Sequence, residues 1–185
     1  MDKQIIKNII IEKQIAIPNY KLVHRDFLFG DKSNYILVGI RRAGKSYLLY
    51  QDIQTRLNKG EQSAQDILYI NFEDERLSEF QKEDFNDILS VQSELSAERG
   101  YFFFDEIQIV PGWEKFCRRM ADAKEHVYVT GSNASMLSRE ISTTLGGRYL
   151  TKYVTPYDFD EYLTAQNVPH DTRALLQTKA NGRIR

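Results

Sequence analysis

Four short apolar runs punctuate the chain, and the segments between them carry apolar residues at helical spacing. Tyr35–Val38, Ile67–Phe72, Tyr101–Phe104 and His126–Thr130 are strand-length and rich in β-branched and aromatic residues, so each predicts a β-strand. Tyr101–Phe104 contains no charged or amide position, which predicts a strand covered on both faces, as in a parallel sheet. Tyr149–Val154 predicts a fifth strand. Ile5–Ile11 reads as an amphipathic N-terminal helix, ended near Pro18, which restricts its predecessor and lacks a donor. Lys45–Asn58 predicts a helix with Gly60 as its stop. Leu77, Phe80, Phe85, Ile88, Leu89 and Val91 mark one or two helices across 77–97. Trp113 to about Lys124 predicts another, and Tyr157–Thr164 a short last one. Strands alternating with helices call for an α/β fold of three layers, a mostly parallel five-stranded sheet between helices.

Composition narrows the class. At 185 residues, 42% hydrophobic and 28% charged, the chain suits one globular domain, or one domain and a piece of a second. The reading divides it into an N-terminal helical segment over 1–30 packed on a domain over 31–165. The remaining 166–185 form a tail or the start of a further domain. A net charge of −1 offers no global attraction to nucleic acid. The single cysteine, Cys117, excludes an internal disulfide framework and fits a reducing cytosol. It falls among Trp113, Phe116 and Met120 at helical spacing, where it serves as a small buried hydrophobe. No apolar run reaches the roughly 18 residues of a membrane span, and Lys7 and Asn8 interrupt Ile5–Ile11. The expectation is therefore a cytoplasmic chain with no membrane association.

The densest chemical signal is Gly39-Ile40-Arg41-Arg42-Ala43-Gly44-Lys45-Ser46, a G-x-x-x-x-G-K-S string between the first strand and the first long helix. Such a P-loop wraps backbone N–H groups around phosphates at the positive end of a helix dipole. Gly39, Arg41, Arg42, Ala43, Gly44, Lys45, Ser46 and Tyr47 are the candidate phosphate cradle. Within it, Lys45 supplies a positive charge and Ser46 a hydroxyl for Mg²⁺. Because the string follows the first strand, it falls at the sheet edge where such folds bind ligands. His24–Phe27, just before that strand, is a candidate flank for the base. Phe104-Asp105-Glu106 ends the third strand in two acids. Asp105 suits an Mg²⁺ anchor, and Glu106 suits a group that orients and deprotonates an attacking water.

Chain order adds to this. One whole strand, Ile67–Phe72, stands between the P-loop strand and the Asp-Glu strand. That order resembles the additional-strand catalytic-glutamate division of P-loop proteins, which includes AAA+ and RecA-like ATPases. Val127-Tyr128-Val129-Thr130-Gly131-Ser132-Asn133 resembles the sensor 1 strand of AAA+ ATPases, with Ser132 and Asn133 as the γ-phosphate candidates and Thr130 behind them. Leu145-Gly146-Gly147-Arg148 lies where AAA+ proteins often carry an arginine finger; Arg148 is the first choice and Arg139 the second. Asn71, ending the second strand, is a candidate restraint on Glu106. Glu73–Glu75 reads as a solvated acidic turn.

These segments, with Tyr69–Leu77, Phe104-Asp105-Glu106-Ile107-Gln108, Thr130-Gly131-Ser132-Asn133-Ala134-Ser135-Met136-Leu137 and Thr155-Pro156-Tyr157-Asp158-Phe159-Asp160-Glu161-Tyr162-Leu163, resemble the prokaryotic AAA-type ATPases whose ATPase domain precedes a C-terminal domain of unknown function, DUF4143. The resemblance runs from about Ile5 to Leu163. It implies ATP as ligand with Mg²⁺, and hydrolysis by Glu106 with Lys45, Ser132, Asn133 and Arg148. It also implies a homo-oligomer in which Arg148 acts on a neighbouring subunit, and a DNA or protein partner met through a C-terminal domain beyond this chain. A nucleotide-gated switch with negligible hydrolysis is the alternative. A small-molecule kinase is disfavoured by the extra strand and by the lack of an arginine-rich lid.

Overall fold

The computed structural model describes residues 1–27, 29–30, 33–131, 136 and 143–168. Five strands, β1 (Asn34–Val38), β2 (Ile67–Asn71), β3 (Tyr101–Asp105), β4 (His126–Gly131) and β5 (Tyr149–Tyr153), form one sheet in the order β2-β3-β4-β1-β5. All four pairings are parallel. The sheet is therefore wholly parallel rather than mostly so among the described residues. The strand that stands between β1 and β3 in chain order, β2, lies at the sheet edge. In space the two are separated by β4.

Alternation along each strand divides the core into two layers. Ile36, Val38, Leu68, Ile70, Phe102, Phe104, Val127 and Val129 point to one face. There they meet α1 (Lys3–Ala16), α3 (Phe85–Leu95) and α4 (Trp113–Asp122). Tyr35, Leu37, Ile67, Tyr69, Phe103 and Tyr128 point to the other, against Leu48, Leu49 and Ile53 of α2 (Lys45–Lys59). Both faces of β3 are thus filled, which is why Tyr101–Phe104 tolerates no charge.

The helices start and stop for local reasons. The Asp2 side chain accepts from the Gln4 N–H at 2.8 Å and caps α1, whose Ile6, Ile9 and Ile10 are buried. Lys3 and Lys7 then reach Glu94 of α3 at 2.6 and 2.9 Å. Gly60, at φ 68°, ends α2 with its N–H on the carbonyls of Arg56 and Leu57. The 77–97 region resolves into 3₁₀ turns at Glu75–Leu77 and Lys82–Asp84, followed by α3 alone. A 3₁₀ turn at Ile17–Asn19 takes up Pro18. The last helix among the described residues, α5 (Phe159–Ala165), is capped by Asp158, whose side chain accepts from Glu161 N–H.

Parallel pairing brings the carboxyl ends of all five strands to one edge. The Gly39–Gly44 loop, the turn after Asn71, the Asp105-Glu106 pair, Gly131 and the Val154–Tyr157 segment converge there.

Candidate functional site

The Gly39–Gly44 loop runs from β1 into the N-terminus of the 15-residue α2, so unpaired helix N–H groups face the loop. Gly39 is required by packing: a Cβ there would lie 2.1 Å from the Val154 carbonyl oxygen. Val154 is held in place because its N–H donates to Val38 O at 2.7 Å. Arg42 at φ 66° and Gly44 at φ 92° turn the chain left-handed on the way into α2. The Lys45 side chain is buried. Its Nζ donates to Gly39 O at 3.2 Å and Ile40 O at 3.1 Å, and lies 3.6 Å from Glu106 Oε1. Lys45 and Glu106, 61 positions apart in sequence, thus share one buried spot on the sheet edge. Ser46 is half-buried in the first turn of α2, and Tyr47, on its outer side, is exposed. Arg41 is exposed and reaches Glu73 at 3.1 Å, which ties the acidic turn after β2 to the loop.

Asp105 is 1% exposed, and both of its oxygens are bonded by hydroxyls. Tyr69 donates to Oδ2 at 2.6 Å, and Thr130 donates to Oδ1. Tyr50 of α2 stands 3.1 Å from the Tyr69 oxygen and donates to it, since the Tyr69 proton is committed to Asp105. Burial, and then the Asp105 charge, push the Tyr69 phenol well above its ordinary value. Burial pushes Tyr50 up to about 12. Both phenols therefore remain protonated donors at neutral pH. Thr130 also accepts from the Glu106 N–H at 3.0 Å, joining the two acids through one hydroxyl. Glu106 takes the left-handed conformation at φ 52°, which turns its side chain off the strand direction. Its Oε2 accepts from Gln108 Nε2 at 2.6 Å.

Beside the loop lies a cavity of about 210 Å³, lined by Val23, Arg25, Arg42, Ala43, Gly44, Tyr47, Leu48, Gln51 and Tyr157. Arg25 organises one wall. It is buried and donates to Ala43 O at 3.1 Å, to Thr155 O at 3.1 Å and to both Glu161 oxygens at 2.7 and 2.9 Å. Its guanidinium carbon sits 5.3 Å from the Tyr157 ring centre. The Gln51 amide clamps the Arg25 backbone with two bonds of 2.9 Å. The hydrogen bond from Arg25 holds the Glu161 carboxyl below its usual range. The segment before β1 is thus fastened to the loop, to α2 and to α5 by a side chain that the string alone did not single out.

Several sequence candidates stand elsewhere. The Asn71 Oδ1 accepts from the Glu73 N–H at 2.9 Å and shapes the turn after β2. Arg148 precedes β5, at the opposite sheet edge from the loop, and its Nε donates to Asp122 Oδ1 at 2.5 Å. The β1–β5 register puts Arg148 six residues from the level of Gly39, so at about 3.3 Å per strand residue it lies roughly 20 Å from its own Gly39 loop. Ser132, Asn133 and Arg139 lie outside the described residues. Tyr69, Tyr50 and Gln108 were not anticipated as site residues. The only sequence hint of Tyr69 was a hydroxyl in a run otherwise suited to the core.

Among the described residues no group of three or more His, Cys, Asp and Glu forms a metal cage. The two oxygen donors expected from the sequence, the Ser46 hydroxyl and the Asp105 carboxylate, are hard ligands of the kind Mg²⁺ takes alongside waters and phosphates, and both Asp105 oxygens are bonded by Tyr69 and Thr130. No helix among the described residues is long and apolar enough to cross a membrane.

Comparison with known proteins adds a family. A family model described as an AAA domain matches residues 31–163. An uncharacterized protein of Methanocaldococcus jannaschii is 36% identical over 170 residues, covering 90% of this chain and 37% of the relative. An uncharacterized protein of Haemophilus influenzae is 37% identical over 145 residues, covering 76% of this chain and 35% of the relative. The chain spans about a third of the length of these relatives.

Proposed function

The chain belongs to the AAA domain family, and on that premise we propose that it binds ATP with Mg²⁺ and hydrolyses it, as the motor part of a larger multidomain protein. The observation that carries this reading is the convergence of Lys45 Nζ and Glu106 Oε1 to 3.6 Å at the mouth of a glycine loop. A general base and a phosphate-binding cation are both needed within one site, and this pair brings them together at the end of the loop that would hold the phosphates.

In this reading the loop N–H groups and Lys45 bind the β- and γ-phosphates. The cavity beside Arg25, Tyr47 and Tyr157 receives the nucleoside. A phosphate offers the ammonium a charged partner in place of the Gly39 and Ile40 carbonyls, and so draws Lys45 away from Glu106. The Glu106 carboxylate then accepts a proton from the attacking water. Ser46 and Asp105 would hold Mg²⁺, which supplies charge neutralisation at the phosphate oxygens. Tyr69 and Thr130 fix the Asp105 carboxylate by bonding both its oxygens. Ser132 or Asn133 contacts the γ-phosphate. Arg148, remote from its own loop, acts on a neighbouring subunit, and the remainder of the larger protein meets a DNA or protein partner.

The test is Mg²⁺-dependent ATP turnover by the wild type and Glu106→Gln, with nucleotide binding measured for both. The expected result is unchanged binding and a turnover loss of roughly 10²–10⁴-fold, the worth of a general base. Equal binding with no hydrolysis by either protein would replace the motor with a nucleotide-gated switch. Arg148→Ala in the same assay is expected to remove the rise of specific activity with protein concentration. Full activity at assembling concentrations refutes the action in trans.

A further inference from the structure

Gln108 lies two residues beyond Glu106, in the 3₁₀ turn Ile107–Ile109 that follows β3. Its Nε2 donates to Glu106 Oε2 at 2.6 Å, a short contact between an amide donor and a carboxylate. The amide orientation follows from that partner, because the reverse would set two acceptors against each other. The other end of the amide is unusual. Gln108 Oε1 is buried and has no hydrogen-bond partner. A buried acceptor left open is rare and calls for an explanation; among the described residues the other such atom is Glu125 Oε2, in the turn before β4 at the far end of the sheet, so Gln108 Oε1 is the one that stands beside the acids.

The surroundings keep this acceptor at the strand ends. A Cβ on Gly131, the last residue of β4, would lie 2.7 Å from Gln108 Oε1. The glycine therefore makes room for the amide beside the spot where β4 leaves the sheet. Glu106 itself is aimed by its left-handed backbone at φ 52° and by the bond from its N–H to Thr130. The carboxylate oxygen and the open amide oxygen are held on one rigid unit. Amide geometry separates them by roughly 4 Å, so one water about 2.8 Å from each can donate a proton to both. A lone carboxylate would leave that water's second proton undirected.

We propose that Gln108 is a positioning residue for the hydrolytic water: its Nε2 fixes the Glu106 carboxylate, and its Oε1 accepts the water proton that Glu106 does not take. No bond is made or broken at Gln108. One water proton passes to Glu106, the water oxygen bonds to the γ-phosphorus as the bond from that phosphorus to the bridging oxygen breaks and ADP leaves with the electron pair, and the amide orders the water beforehand. This inference rests on the hydrolytic reading given above.

The experiment is a double-mutant cycle on ATP turnover, with Gln108→Ala, Glu106→Gln and the double variant, each checked for ATP affinity and thermal melting. Gln108→Ala is expected to keep ATP affinity within about twofold and to lower kcat by tenfold or more, the scale of one lost charge-assisted contact. In the Glu106→Gln background the same substitution is expected to cost nothing further, since both groups act on one water. Gln108→Glu, which keeps the side-chain size and replaces the donor with a like charge, is expected to be as slow as Gln108→Ala and so controls for a packing defect. Wild-type kcat in Gln108→Ala, a loss confined to ATP affinity, or two losses that multiply in the double variant would each overturn the proposal. A wild type that binds ATP and does not hydrolyse it overturns the hydrolytic reading itself, and this inference falls with it.

Discussion

Replacing Tyr69 with Phe tests the hydroxyl cage around Asp105 directly. The ring remains in the face packed by α2, so apolar burial is almost unchanged. What disappears is the 2.6 Å bond to Asp105 Oδ2 and the acceptor for Tyr50. Asp105 is 1% exposed, so water cannot replace the lost donor without opening the sheet edge. A hydrogen bond to a charged group contributes about 1.5–3 kcal/mol, and a neutral one about 0.5–1.5. In a domain of this size each kcal/mol lowers Tm by roughly 2–4 °C. Tyr69→Phe, which loses both bonds, is therefore expected to melt about 4–18 °C below the wild type, and Tyr50→Phe, which removes only the hydroxyl–hydroxyl bond, by clearly less. Differential scanning calorimetry of both variants and of Asp105→Asn completes the assay. The Tyr69→Phe penalty should shrink in the Asp105→Asn background, because a neutral amide needs the donor less. If Tyr69→Phe melts within about 1 °C of the wild type, or if Tyr50→Phe is the more damaging of the two, the cage does not hold the carboxylate.

Two further outcomes follow from packing and charge. Gly39→Ala drives a methyl to 2.1 Å from the Val154 backbone oxygen, so β5 must separate from β1 where the loop begins. The expected cost is about 1–3 kcal/mol of stability, together with loss of nucleotide binding by isothermal titration; wild-type affinity would show that the loop has slack. Lys3 and Lys7 hold the exposed Glu94 carboxyl down at about 2, so their contribution is present above its ordinary value of 4.5 and fades as pH falls from there towards 2. Melting curves of the wild type and Glu94→Gln should diverge above pH 5 and converge near pH 2, whereas a gap independent of pH would mean that the pairs do not anchor α1.

The elements were legible because each rests on local chemistry. Tyr101–Phe104 had to be buried on both faces, and Gly60 had to end a helix. The G-x-x-x-x-G-K-S string announced both its strand and its helix. The adjacency of Asp105 and Glu106 was equally visible. The 3₁₀ turns before α3 escaped notice because Leu77 and Phe80 meet the core from turns as well as a helix would let them. Asn71 pointed to Glu106 by its place at a strand end, yet its own turn claims its side chain. Gln108 also reaches the Glu106 carboxylate, since a left-handed Glu106 brings that group back over the following residues.

From sequence alone, this chain is a strand–helix alternation with a phosphate-type loop after its first strand and two acids after its third. Hydrophobic period, glycine placement and motif spacing are all properties of neighbouring residues, and they need no fold to be read. The sheet order belongs to the tertiary structure. β4 separates β1 from β3 because parallel pairing of distant segments depends on how whole faces are covered by α1, α3 and α4 on one side and α2 on the other. The same packing brought Tyr69 and Thr130 onto Asp105, Arg25 onto the loop, and Lys45 to Glu106. Those partners lie 25 or more residues from Asp105, 18 from Ala43 and 61 apart, respectively. A buried charge selects its partners by proximity in space, and no local pattern encodes that.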